Sequence, residues 1–256
     1  MASDIGIDEL YVPASSLKTQ DNLNDIAAWT TNNLMKINED KTKYMVFSRS
    51  ETEVATRLTV NENTIERIEE IKLLGVWITT WLDWDKNTRE ICKKAYARMT
   101  MVTKLKYAGV PTADLITIYI LYIRSLLEYC SVLWHSTLTS EQTDKLERVQ
   151  KLSLKIILGA EYDGYDNALK TCDLDRLSIR RENRCLQYGL KSLLHPIHSK
   201  KFPVNPHVRN DTSTTRNSEH FSVNWAKSES YRMSAIPFIQ RILNQHVRNQ
   251  QKQRKK

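Results

Sequence analysis

Lys86, Arg89 and Lys93 recur at helical spacing, so on an α-helix they share one face, with Lys94 and Arg98 on a neighbouring stripe. Ile91, Ala95, Val102 and Leu105 take the other side. An amphipathic helix with one positive face suits a phosphate backbone, because cations along it replace condensed counterions. The same pattern alone also describes a solvated surface helix. Lys41 and Lys43, in the polar run NEDKTK, read by themselves as solvated turn residues. Gly75, within LLGV, permits close backbone approach to a strand or to a nucleic-acid sugar. An ordinary core strand with a bulge uses glycine equally well. Trp77, Trp81 and Trp84 offer rings for base stacking or for a core. Cys172, Cys185, His195 and His198 form the one grouping that resembles a ligand set, but they lack the paired Cys-X-X-Cys knuckle, so no metal is expected. No Ser-His-Asp order, phosphate-cradling glycine loop or zinc-hydrolase helix is present.

The elements that must position these residues change in kind along the chain. Alternation at Ile5, Ile7, Leu10 and Val12 predicts a strand or hairpin arm. Ser15 or Ser16 can cap a helix to about Asn33, with Leu23, Ile26, Ala27 and Leu34 on one face. Strands are expected at 43–48 and as a hairpin of 57–60 with 64–68, turning at 61–63. Ile71–Thr79 reads as a single buried strand. Past Trp84 the pattern becomes helical. One helix runs from an N-cap at Asp85 to Gly109, and a second, apolar nearly all round, from Pro111 to about His135. A third starts at the capping box Thr139/Gln142 and ends at Gly159. Shorter helices follow at 165–171 and 178–195, then a polar loop at 196–230 and a short helix at 237–245. The basic end (Arg248, Lys252, Arg254, Lys255, Lys256) suits nucleic acid, a nuclear address or a solvated terminus.

Composition agrees with this order. An apolar share of 41% can build a core, and six Gly with six Pro favour helices over turns. A net charge of +8 points to a polyanionic partner. Four scattered cysteines make no disulfide framework and fit a reducing compartment. No secretory pattern opens the chain, and no apolar run is read as reaching membrane-spanning length, Leu115–Leu127 being short and interrupted by Arg124. No membrane partner is expected.

Taken in order, WTTNNLMKINEDKTKYMVFSR (Trp29–Arg49), IKLLGVWIT (Ile71–Thr79), LLEYCSVLWHS (Leu126–Ser136), KLERVQKLSLKIILG (Lys145–Gly159), SIRRENRCLQYGLK (Ser178–Lys191) and SYRMSAIPFIQRILN (Ser230–Asn244) resemble the C-terminal part of a LINE-type (non-LTR, jockey-like) retrotransposon reverse transcriptase. The resemblance implies an α+β, mostly helical chain. A partial palm with a small antiparallel sheet and primer-grip hairpin would fill 1–80, an all-helical thumb 81–195, and a loop-rich C-terminal extension 196–256. It also implies a chain shortened at its front. Asp4 then stands at the second position of the family's Asp-Asp box, with Ser3 in place of the first. A hydroxyl cannot supply the charge that the intact family's two Mg2+ ions need. No bound cofactor and no independent catalysis are therefore expected, leaving Asp4 and Lys41 as vestigial catalytic positions. Lys41, or alternatively Lys43, would be the general acid for the leaving pyrophosphate. Leu74, Gly75 and Val76 would be the primer grip, and Lys86, Arg89, Lys93, Lys94 and Arg98 the thumb's contact to an RNA–DNA or DNA duplex. Missing palm and fingers could come from another chain, which would make an active nucleotidyltransferase. The location would be nuclear or cytoplasmic. The alternative is a helical protein-interaction module with no nucleic-acid role.

Overall fold

With little glycine and proline to interrupt it, the backbone is mostly helical with small sheets, an α+β chain. The computed structural model describes residues 19–47, 57–205 and 220–254. The chain divides into two compact units between Asp83 and Trp84. The expected strand near the start, the Ser15/Ser16 cap and Asp4 lie outside the described residues.

In the first unit, α1 (Thr19–Asn32) buries Leu23 and Thr30. Its Gln20 side chain both donates to the Thr59 carbonyl and accepts from the Thr59 N–H, each at 2.9 Å, and so pairs like a short strand. Leu34 is not on the apolar face; it is fully exposed in a left-handed conformation (φ 56) just past the helix. The strand expected at 43–48 is paired only over β1 (Lys43–Tyr44). A hairpin forms where expected, from β2 (Thr59–Val60) and β3 (Asn63–Thr64), but its second arm ends at Thr64 rather than running over 64–68. Asn61 and Glu62, both at positive φ, make its two-residue turn, in the sense that suits strand twist. The chain then passes buried Ile65, and β4 (Glu66–Arg67) leaves to pair in parallel with β1, tied by a Lys43–Glu66 ion pair.

β5 (Glu70–Leu73) and β6 (Val76–Thr79) are antiparallel. Ile71–Thr79 is therefore not a single buried strand but the greater part of a hairpin. Leu74 and Gly75 take φ of 46° and 88° at its tip, the turn for which glycine is chosen. Only Val76 in this hairpin is buried. The expected single small antiparallel sheet is likewise corrected: among the described residues there are three two-stranded ladders, one of them parallel. Leu23, Leu58, Val60 and Ile65, with Ile37 and Tyr44 against them, form the unit's core.

The second unit opens with α2 (Asp85–Tyr107), whose N-cap is Trp84 rather than Asp85. Gly109 (φ 81) ends it: its N–H reaches the Lys106 carbonyl while that of Val110 reaches Leu105, a Schellman closure. The helix expected from Pro111 to His135 is broken into pieces. α3 (Thr112–Ile118) passes into a π-helical stretch, Tyr119–Arg124, then α4 (Ser125–Glu128). Extended Tyr129 and left-handed Cys130 (φ 50) interrupt the chain before α5 (Ser131–Trp134) and a 3-10 turn at His135–Thr137. By length and composition Thr112–Thr137 is apolar enough to cross a membrane, which corrects the sequence reading of run length. Here it packs against α2 and its Tyr119, Ile123, Leu127 and Trp134 fill the core. It still leaves Leu121, Tyr122, Tyr129 and Leu133 exposed, so it is not buried all round.

α6 (Ser140–Leu158) starts at the capping box Thr139/Gln142 and ends at Gly159, as expected. α7 (Tyr165–Thr171) and α8 (Leu177–Leu193) follow. The segment expected as a polar loop is anchored at both described ends. Phe202 and Phe221 are buried beside a bridge between Val204 and Phe221. α9 (Glu229–Arg232) leads to α10 (Ala235–Arg254), longer than the expected 237–245 because its polar last turns continue the helix. Asn244 on α10 pairs with both backbone groups of Phe221, at 2.7 and 3.0 Å, and Gln240 holds Lys201 and Asn224. α10 lies so close to α8 that a Cβ on Gly189 would meet Ile239 at 2.7 Å.

Candidate nucleic-acid interface

α2 carries seven lysines and arginines against Asp85 and Glu90. Its inner face is set by Cys92, Ala95, Met99 and Val102, all buried, which forces the charged positions outward. Arg89, Lys93, Lys94 and Arg98 are exposed and Lys86 is half-buried. Lys104, which sequence reasoning missed, is exposed in line with Lys86 and Lys93.

α6 packs along α2. Lys145 near the start of α6 lies 3.7 Å from Asp85 at the start of α2, while Lys106 near the end of α2 donates to the Ile157 carbonyl near the end of α6. The two helices therefore run parallel. Arg148, Lys151 and Lys155 of α6 are exposed, and their i, i+3, i+7 spacing puts them on one face. Arg148 lies close enough to Tyr96 of α2 to lower its pKa against the larger, raising effect of burial. Tyr96, 39% exposed, thus marks the seam between two basic stripes. The α6 stripe was also missed, although its spacing was visible in the sequence.

The five residues expected to bind nucleic acid divide into two groups. Helical geometry turns Lys86, Arg89 and Lys93, with Cys92, toward the α6 side, and Cys92 feels the charge of Lys145 there. Arg98 lies on the opposite flank, where it donates to the Tyr122 carbonyl of the π-helical stretch, and Lys94 is its neighbour on that side. Arg98 is thus tied to the backbone of the π-helical stretch. Arg89 is 3.6 Å from Asp85, an exposed pair that restrains it little. The face can lay a row of cations along a phosphate backbone.

Among the described residues, the other predicted positions sit in separate places. Lys41 is exposed on a short 3-10 turn, Glu39–Lys41, with its backbone N–H 3.1 Å from Asn38 Oδ1. Lys43 is paired with Glu66. Leu74 is 73% exposed at its hairpin tip and Val76 is buried beneath it. The three tryptophans separate as well: Trp81 is exposed, whereas buried Trp84 donates from Nε1 to Thr137 Oγ1 at 2.7 Å. Cys172 and Cys185 sit in different apolar clusters, so the possible ligand set is not brought together, although His195 and His198 stack edge to face. Among the described residues no group of three or more His, Cys, Asp or Glu could hold a metal ion. No protein-family model, curated protein or solved structure matches the chain.

Proposed function

We propose that the helical unit binds the phosphate backbone of an RNA–DNA or DNA duplex across α2 and α6, in a chain of LINE-type reverse-transcriptase ancestry with no polymerase activity of its own. The observation that carries this is the parallel seating of α2 on α6, which sets two exposed basic stripes side by side with Tyr96 between them. Such a surface gains affinity by counterion release and gives positioning rather than sequence readout. The order of motifs along the chain supplies the family assignment, and Ser3 in place of the metal-binding Asp supplies the loss of catalysis. Mg2+ belongs to the intact family's chemistry.

The test is anisotropy with a labelled RNA–DNA hybrid over a salt series, comparing the chain with its Lys86→Ala/Arg89→Ala/Lys93→Ala variant. Affinity that falls with salt is expected, with the slope shallower in the variant by roughly one unit for each phosphate it no longer neutralises. Equal slopes in two folded proteins would reject the assignment. Exposed Leu121, Tyr122, Tyr129 and Leu133 favour a second reading, a helical protein-interaction module. Association with a protein that is insensitive to salt, without hybrid binding, would support that instead.

A further inference from the structure

Two guanidinium groups hold one buried carboxylate at the join of α4 and α8, and a third lies near enough to feel all three charges. Glu128 is 2% exposed. Arg180 forks onto it, with Nε donating to Oε1 at 2.5 Å and Nη2 to Oε2 at 3.3 Å. Arg184 Nη2 also reaches Oε2, at 2.7 Å. Arg124, at the end of the π-helical stretch, is the third: its charged neighbours are Arg180, Glu128 and Arg184. It is half-buried and enters none of the ion pairs of the described residues.

A fold that needed only to neutralise Glu128 would be complete with the Arg180 fork. Even with Asp175 acting on Arg180 as a second carboxylate, the three arginines leave a net positive charge in a partly desolvated place, and this repulsion costs stability unless an anion offsets it. Burial first, and then Arg180, hold the Arg124 pKa below the ordinary arginine value, although it stays cationic. The cluster is open on one side: the Arg184 side chain is 52% exposed and that of Arg180 27%. Planar, weakly hydrated guanidinium groups with free N–H edges suit the oxygens of a phosphate better than lysine would.

We propose that Arg124, Arg184 and the outer edge of Arg180 form a phosphate site that takes a phosphodiester of a nucleic-acid strand, separate from the α2–α6 face. The site stands on its own geometry; naming the ligand as a nucleic-acid strand rests on the function proposed above. Arg124→Gln and Arg184→Gln are the variants of choice, since both leave the Arg180 fork on Glu128, and thermal melting checks that each is folded. Two titrations are read: inorganic pyrophosphate by calorimetry, and the RNA–DNA hybrid over a salt series. Pyrophosphate should bind the unaltered chain and bind each variant roughly tenfold more weakly, as expected when one charge-assisted hydrogen bond is removed. The hybrid's salt slope should fall by about 0.7–0.9 per arginine removed. Unchanged pyrophosphate binding in both folded variants overturns the site. Weaker pyrophosphate binding with unchanged hybrid affinity overturns the strand assignment and gives the site to a free phosphate compound. Weaker hybrid binding by the arginine variants but not by the Lys86/Arg89/Lys93 variant would keep this site and reject the α2–α6 face.

Discussion

At the residue scale, the interior of the helical unit sets the chemistry of the side chains it holds. Burial pushes the Cys92 thiol up to about 11 and that of Cys185 to about 12, and it raises Cys172 as well. Cys130 alone of the four is exposed. A thiol-reactive disulfide reagent at neutral pH should therefore modify one cysteine rapidly and three only on unfolding. Rapid reaction of the Cys130→Ser variant would show that the interior is open. His135 lies edge-on to Phe238 at 5.8 Å, and burial first, then the nearby Arg181 charge, lower its pKa to about 4. Arg181 is itself fully buried, with its guanidinium over the Trp134 ring. Because an unfolded histidine takes its proton near pH 6.5 and the folded one only near 4, the unfolded chain binds more protons in between. Stability should fall as pH drops through that window, by on the order of 3 kcal/mol from this group. Urea denaturation of the His135→Gln variant should lack that component; identical pH profiles would refute the assignment.

At the element scale, the last helix is a structural member rather than an appendage. α10 buries Ile239, Ile242 and Leu243 against Cys185, Phe202 and Phe221. Gly189 is where α8 lets it come close, and the β-branched Ile239 has little freedom to retreat. Gly189→Ala should cost about 1–3 kcal/mol from overpacking, outweighing the gain in helix propensity. Chemical denaturation reads this directly, and a stabilised variant would mean that α8 and α10 sit further apart. Some elements announce themselves locally. Thr139 with Gln142 and terminal Gly159 delimit α6 because capping is decided by residues within a turn of one another. The break at Tyr129–Cys130 has no such marker: LLEYCSVLWHS contains neither Gly nor Pro, and the left-handed residue is a cysteine. Gly75 was visible as a special position, but the partner that makes the turn, Leu74, is apolar and disguised the hairpin as a strand.

At the scale of the whole molecule, the spacing of each basic stripe was visible in the sequence, but their meeting on one face was not. The spacing of Lys86, Arg89 and Lys93 needs only the helix that carries it. Recruitment of Arg148, Lys151 and Lys155 depends on α6 lying parallel to α2, a tertiary fact that no local pattern encodes. The same limit hid the anchoring of Phe202 and Phe221 inside a polar stretch, since the Asn244 and Gln240 side chains that hold it come from far along the chain. The central claim is that both stripes serve one bound duplex. Its most direct measurement is the hybrid's salt slope and stoichiometry for the unaltered chain, the α2 triple-alanine variant, an Arg148→Ala/Lys151→Ala/Lys155→Ala variant, and the two combined. A single duplex per chain, with a shallower slope on altering either helix and the shallowest on altering both, is the predicted result. A slope that stays the same when the α6 stripe is removed from a folded chain would contradict it.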